Sequence, residues 1–284
     1  EWIKKIINKT KINKVALSGG LFMNVKLNQI ISNLPEVQDL FVFPSCGDET
    51  NVFGALYQNY KNTTNITPKK ISHFYYGNKY SNEEALLAIK NYEFNNCKIK
   101  YTKIENIEKK IEELINEKKI VARFKGAMEF GARSLGNRAI LADPTTINSV
   151  YEINKIIKAR DFWMPFAPSI IDQDEYLENP KNLNLAYMIN AVKFKKKYES
   201  VFRGVVHPYD LSCRPQVVLK EHNESYYNLI KIFKSISGYG VILNTSLNLH
   251  GLPMVSNPND SLYVLDNSGL KYLAIEDYLI EKIT

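Results

Sequence analysis

Between Gly126 and Pro144 the chain sets three glycines (Gly126, Gly131, Gly136), two arginines (Arg133, Arg138) and Asn137 directly after an apolar run, Ile120–Phe124. Glycine lets backbone approach a bound group closely, and a guanidinium offers a planar fork of donors that grips phosphate or carboxylate with two parallel bonds. The same residues would also suit a surface loop whose arginines make salt bridges. Two further cations, Lys158 and Arg160, stand at the end of a helical stretch and just before Met164-Pro165-Phe166-Ala167-Pro168-Ser169. There they either complement the helix dipole or converge with Arg133 into an anion pocket. His207–Gln216 contributes Arg214, and Ile242–Asn248 places Asn244, Thr245, Ser246 and Asn248 beside a strand, where ligand contacts gather. Capping and turning the chain is the plainer use of such polar residues, as a structural role is for a lone His207.

Two segments near the amino end have a different chemistry. Ser18-Gly19-Gly20-Leu21-Phe22-Met23-Asn24 joins a strand to a helix whose first N–H groups are free to meet phosphate. Asp48, in Gly47-Asp48-Glu49, lies at the mouth of a helix. It could hold a hard or transition metal, touch a nucleotide, or simply cap the helix.

Hydrophobic periodicity supplies the elements that must position these residues. Val15–Leu17 and Leu40–Phe43 read as strands, with helices over Leu21–Ser32 and from Asp48 through Tyr60. Strand, glycine turn and helix in succession is the pattern of an α/β domain, whose ligands sit at the carboxyl ends of strands. Lys61–Lys70 is polar, contains Pro68 and lacks periodicity, so it reads as a linker. Beyond it, helices are expected at Asn82–Asn91, Glu105–Lys118, Ser149–Ala159, Ser225–Ser237 and Asn259–Leu265. Strands are expected at Ile120–Phe124, Ala139–Ala142, Leu185–Ile189 and Val241–Leu243. This second part, 71–284, reads as α+β or mixed α/β.

Composition narrows the class. An apolar share of 45% supports a folded core, and no apolar run approaches the roughly 20 residues of a membrane-crossing helix. No signal-peptide pattern opens the chain, and its first residue, Glu1, suggests a sequence cut from something longer. Lys and Arg exceed Asp and Glu by 37 to 30, which fits a solvated basic face, a pocket for phosphate-bearing molecules, or a nucleic-acid surface. Cys46, Cys97 and Cys213 lack the spacing of a zinc site or a disulfide framework, which fits a reducing cytoplasm.

Taken in order, Gly126–Pro144, Asn154–Ser169, His207–Gln216 and Leu243–Val255 resemble the successive signatures of the NodU/CmcH-type O-carbamoyltransferases. The resemblance implies two domains. Residues 1–60 look like the end of an actin/sugar-kinase-like lobe that binds ATP and a divalent metal (Fe or Mg). Residues 71–284 look like a YrdC-like domain that makes carbamoyl-adenylate from carbamoyl phosphate and ATP. The carbamoyl group then passes to a hydroxyl of a sugar or secondary metabolite. Arg133, Lys158 and Arg214 match family positions that bind carbamoyl phosphate or the adenylate, with Asn137, Arg138, Arg160 and Asn244 as further contacts. Gly19, Gly20 and Asn24 match a nucleotide-contacting turn, and Asp48 matches a metal ligand.

The chain departs from the family pattern where an arginine is replaced by Met164, at Ala127 and Ala132, and at Asp210-Leu211-Ser212. The first half of the kinase-like lobe, with the histidine pair of its metal site, has no counterpart here. His73, His207, His222 and His250 do not reproduce its spacing. The expected activity of a chain this short is therefore adenylate formation at most, the missing half being either the preceding part of a longer sequence or a separate chain. The alternative is a degenerate nucleotide- or RNA-binding module.

Overall fold

The computed structural model of the chain describes residues 1–158 and 164–283. Helix α1 (Trp2–Thr10) leads into β1 (Lys14–Leu17), α2 (Val25–Ser32), β2 (Asp39–Val42) and α3 (Asn51–Thr64). β1 and β2 pair in parallel, with Val15 opposite Leu40. The turn after β1 needs Gly19, whose φ of 110° is open to glycine and strained for other residues. Asn24 then caps α2, its side chain accepting from the N–H groups of Lys26 and Leu27.

Helix α3 runs past its expected end at Tyr60 to Thr64, so the stretch read as a linker begins inside a helix. The hydroxyls of Thr63 and Thr64 return hydrogen bonds to the carbonyls of Asn59 and Tyr60, and left-handed Asn65 closes the helix on the Lys61 carbonyl. Polar side chains that bond their own helix leave no apolar stripe to read.

Then come α4 (Asn82–Asn91), β3 (Lys98–Lys103), α5 (Ile107–Asn116), β4 (Val121–Phe124), β5 (Arg138–Ala142) and α6 (Ile147–Ile153). After α6 the chain makes a π-helical turn, Asn154–Lys158. Next are β6 (Ala167–Ile170), α7 (Gln173–Tyr176), β7 (Leu177–Glu178), β8 (Val192–Phe194), β9 (Ser212–Cys213) and β10 (Gln216–Val217). The last elements are α8 (Glu224–Ser237), β11 (Val241–Ser246), α9 (Pro258–Asp266), β12 (Tyr272–Ile275) and β13 (Tyr278–Ile283). Eight strands form one mixed sheet in the order β10-β6-β11-β5-β4-β12-β13-β3, and β7, β8 and β9 form a small antiparallel sheet. The chain is thus a mixed α/β protein built on a large mixed sheet.

Both faces of that sheet are covered, which is why its central strands read as continuous apolar runs. On one face Val121, Ala139, Leu141, Ile242 and Ala274 pack with α5 and α8. Their neighbours in sequence, Ala122, Ile140, Leu243 and Leu273, turn to the other face and a larger core. That larger core reaches back to Ile7, Leu17 and Leu40, so the first sixty residues share it. Phe53 and Phe130 meet edge to face at 5.0 Å, and the buried Asn28 donates through Nδ2 to the Ile189 carbonyl at 2.7 Å.

Residues 185–189, expected as a strand, are irregular. Asn184 accepts the Ala186 N–H, Asn190 donates to the Asn184 carbonyl, and Met188 is left-handed at φ 56°. Local amide side chains compete here with a strand ladder and win.

Candidate active site

A cavity of about 480 Å³ opens where β11 ends and β5 begins. Its wall includes Arg133 from the β4–β5 connection, Arg214 between β9 and β10, Asn244 and Ser246 from β11, and Lys26 from the first turn of α2. Three cations therefore line one concave surface, supplied by three separate parts of the chain. Met164, Phe166 and Met188 give it an apolar side.

The β4–β5 connection owes its shape to Glu129, which is nearly buried. Its Oε1 accepts from the N–H groups of Leu135 (2.7 Å), Asn137 (2.7 Å) and Arg138 (3.2 Å). A charge-assisted acceptor thus organises a loop that has no ladder of its own. Gly131 and Gly136 have φ of 102° and 107°, and a Cβ at either would overlap Ser45 or the Tyr226 ring.

Asn137 and Arg138 belong to this scaffold and not to the cavity wall. Asn137 Oδ1 accepts from Arg123 Nη1 (2.9 Å) and Asn223 Nδ2 (2.8 Å), while its Nδ2 donates to the Ala127 carbonyl (2.7 Å). The Arg138 guanidinium lies 3.6 Å from the Phe124 ring centre and donates to the carbonyls of Asn78 and Lys125. Burial lowers its pKa to about 10, so it stays a cation at neutral pH. Arg133, by contrast, lines the cavity, and its Nη2 reaches the Met23 carbonyl at 3.4 Å.

Asn244 is buried, and its orientation is fixed. Its Nδ2 faces three acceptors: the Ser134 carbonyl (3.2 Å), Ser169 Oγ (3.0 Å) and Gln216 Oε1 (3.3 Å). Gln216 is itself oriented by donating to the Leu135 carbonyl at 2.8 Å. The Oδ1 of Asn244 is left with no hydrogen-bond partner among the described residues. A buried acceptor without a donor costs about 1–3 kcal/mol.

Lys158 is also buried but lies behind the wall. Its Nζ donates to the Ser246 carbonyl (2.5 Å) and Asn248 Oδ1 (2.6 Å), holding the turn that ends β11. Arg160 lies outside the described residues.

The amino-terminal candidates sit apart from this pocket. Gly19 and Gly20 form an exposed turn and Asn24 caps α2. The Arg133 contact to Met23 ties that turn to the cavity. Asp48 is exposed at the start of a short 3-10 turn. Among the described residues no group of three His, Cys, Asp or Glu side chains could hold a metal ion. Asp48 by itself does not make a metal site.

Glu129 and Lys26 were not singled out from the sequence. Glu129 is the one carboxylate between Gly126 and Asp143, an anomaly in a segment otherwise read as anion-binding. Lys26 carries positive charge in the first turn of a helix, where the dipole disfavours it. Its Nζ meets Ser212 Oγ (2.6 Å), Gln29 Oε1 (3.2 Å) and the Asp210 carboxylate. Partial burial would raise the Asp210 pKa, but hydrogen bonds from Lys26 and Ser212 outweigh it and hold the carboxyl at about 2. No helix among the described residues is long and apolar enough to cross a membrane.

A family model described as carbamoyltransferase C-terminus matches residues 112–282. An uncharacterized protein of Methanocaldococcus jannaschii is 33% identical over 99% of this chain and 46% of its own. Nodulation protein NolNO of Sinorhizobium fredii is 29% identical over 97% of this chain and 41% of that one. The 3'-hydroxymethylcephem-O-carbamoyltransferase of Streptomyces clavuligerus is 32% identical over 50% of this chain and 26% of that one. The chain spans about half the length of the curated relatives it matches.

Proposed function

Because the chain belongs to the carbamoyltransferase C-terminus family, we propose that its cavity binds carbamoyl phosphate as donor in an O-carbamoyltransferase. The observation that carries this reading is the convergence of Arg133 and Arg214, with Lys26, on one concave wall. Carbamoyl phosphate brings a phosphoryl dianion for the guanidinium groups. Acetyl phosphate has the same charge but a methyl where the NH2 would be, so it tests whether the site reads more than the phosphoryl group.

In our reading the donor is then activated with ATP. One water is consumed, phosphate and pyrophosphate leave, and carbamoyl-adenylate remains. Fixed cations offset the repulsion between two anions brought together, without reorganising during the step. The exposed turn of Gly19, Gly20 and Asn24 is the nucleotide contact we assign, and its link to Arg133 supports that placement. A divalent metal, Fe or Mg, at Asp48 requires ligands that the described residues do not provide, and no step is assigned to it.

The wider scheme remains our proposal as well. Residues 1–60 serve as the end of a kinase-like lobe, residues 71–284 as a YrdC-like domain, and the acceptor is a hydroxyl on a sugar or secondary metabolite. No observation favours the RNA-binding alternative.

Release of phosphate and pyrophosphate by the purified chain, given carbamoyl phosphate and ATP, tests the reading. Turnover should require both compounds, fall about a hundredfold in Arg133→Ala, and be weak with acetyl phosphate. Equal turnover with acetyl phosphate, or none with carbamoyl phosphate, would overturn it.

A further inference from the structure

We propose that Lys26 is an anion-contacting residue of the cavity, held in place by Asp210, so that the donor site is built across the seam between the first sixty residues and the rest. The inference deepens the donor reading and rests on it. Four observations support it.

Lys26 lines the same wall as Arg133 and Arg214, although it comes from α2 and they come from the sheet region. Its helical position works against it. It follows Asn24, the cap, by two residues, and α2 has no acidic residue in its first turn to offset the dipole. Helix stability therefore gives no reason for a cation there; the reason lies in what it faces, Asp210 and the cavity.

Its immediate partners make a cradle. An ammonium has three donors, and Nζ has three acceptors: Gln29 Oε1, Ser212 Oγ and the Asp210 carboxylate. Asp210 is fixed in turn, its Oδ1 accepting from the N–H (3.1 Å) and the Oγ (2.8 Å) of Ser212, with His207 Nδ1 at 3.6 Å. Asp210 itself is not on the cavity wall. The lysine thus faces a carboxylate on one side and the cavity on the other. A phosphoryl oxygen entering the cavity competes with Asp210 for one of its three protons.

That competition separates a binding role from a mere latch between two parts of the chain. If Lys26 only fastens α2 to Asp210, breaking the pair from either end has the same effect. If Lys26 contacts the anion, the two ends differ: losing the lysine weakens binding, and losing the Asp210 charge does not.

Isothermal titration of the whole chain with carbamoyl phosphate and with inorganic phosphate, alongside thermal unfolding, makes the distinction. Lys26→Met should weaken both ligands by about tenfold, the loss of one charge-assisted contact, and Lys26→Arg should restore most of the affinity. Asp210→Asn should bind as tightly as the parent or tighter, while lowering the unfolding midpoint about as much as Lys26→Met does. Equal weakening in Lys26→Met and Asp210→Asn, or no change in Lys26→Met, would overturn the inference. A parent chain that binds neither ligand would instead overturn the donor reading itself.

Discussion

Glu112 is a carboxylate in an unusual position: fully buried on α5, with neither oxygen hydrogen-bonded among the described residues. Burial raises its pKa, with Glu113 nearby adding to the shift. A carboxyl whose folded pKa lies above its unfolded value, about 4.3, loses stability as pH rises through that window, and the loss persists at neutral pH. Glu112→Gln should therefore raise the unfolding midpoint at pH 7, with the gain shrinking toward zero near pH 4. A midpoint that falls at pH 7 would show that Glu112 has a favourable role. At this scale the sequence was legible where chemistry is local. Arg133 and Arg214, chosen for residue type and glycine-rich or turn context, do line one cavity. Arg138 and Asn137 carry equally suggestive side chains, but the start of β5 turns them inward onto Phe124 and Arg123. Nothing in residue spacing reveals that direction, because it depends on which face the next strand presents. Lys26 was hidden for a similar reason: its partners, Asp210 and Ser212, lie far along the chain.

The β4–β5 connection is the element on which the cavity depends. Glu129 holds it by one oxygen shared among backbone N–H groups on either side of the bend. Glu129→Ala should destabilise the fold by about 3 kcal/mol, measured by urea denaturation, and should abolish carbamoyl phosphate binding although Glu129 does not line the cavity. Retained binding would show that the loop is held by its glycines and by Asn137 instead. Helices and strands with clear periodicity were readable here: α4 spans Asn82–Asn91 as expected, with Ser81 and Glu84 forming a capping box. The elements that escaped are those governed by side chain–backbone bonds. Thr63 and Thr64 prolong α3 into polar sequence, and Asn184 and Asn190 fold an apolar run into turns. Hydrophobic pattern is silent on such bonds.

On the scale of the whole molecule, the mixed α/β class was readable because covered central strands leave a signature of short apolar runs between helices. The sheet order was not, since β4 and β12 are neighbours across more than half of the second part of the chain. Nor was the shared core that joins the first sixty residues to the large sheet. The two ends of that sheet have a further consequence. At one end β10 has only two residues, and at the other β3 is an exposed strand with Lys98, Lys100 and Lys103 in six positions. A bare edge invites another chain to add a strand, and shortness or lysine makes that addition unfavourable. The protein therefore carries its own protection against clumping at high concentration. Replacing Lys98 and Lys100 by valine should leave the donor cavity intact, yet light scattering should rise with concentration where the parent stays clear. A double variant that stays clear would mean that the strand's solubility lies elsewhere than in its lysines.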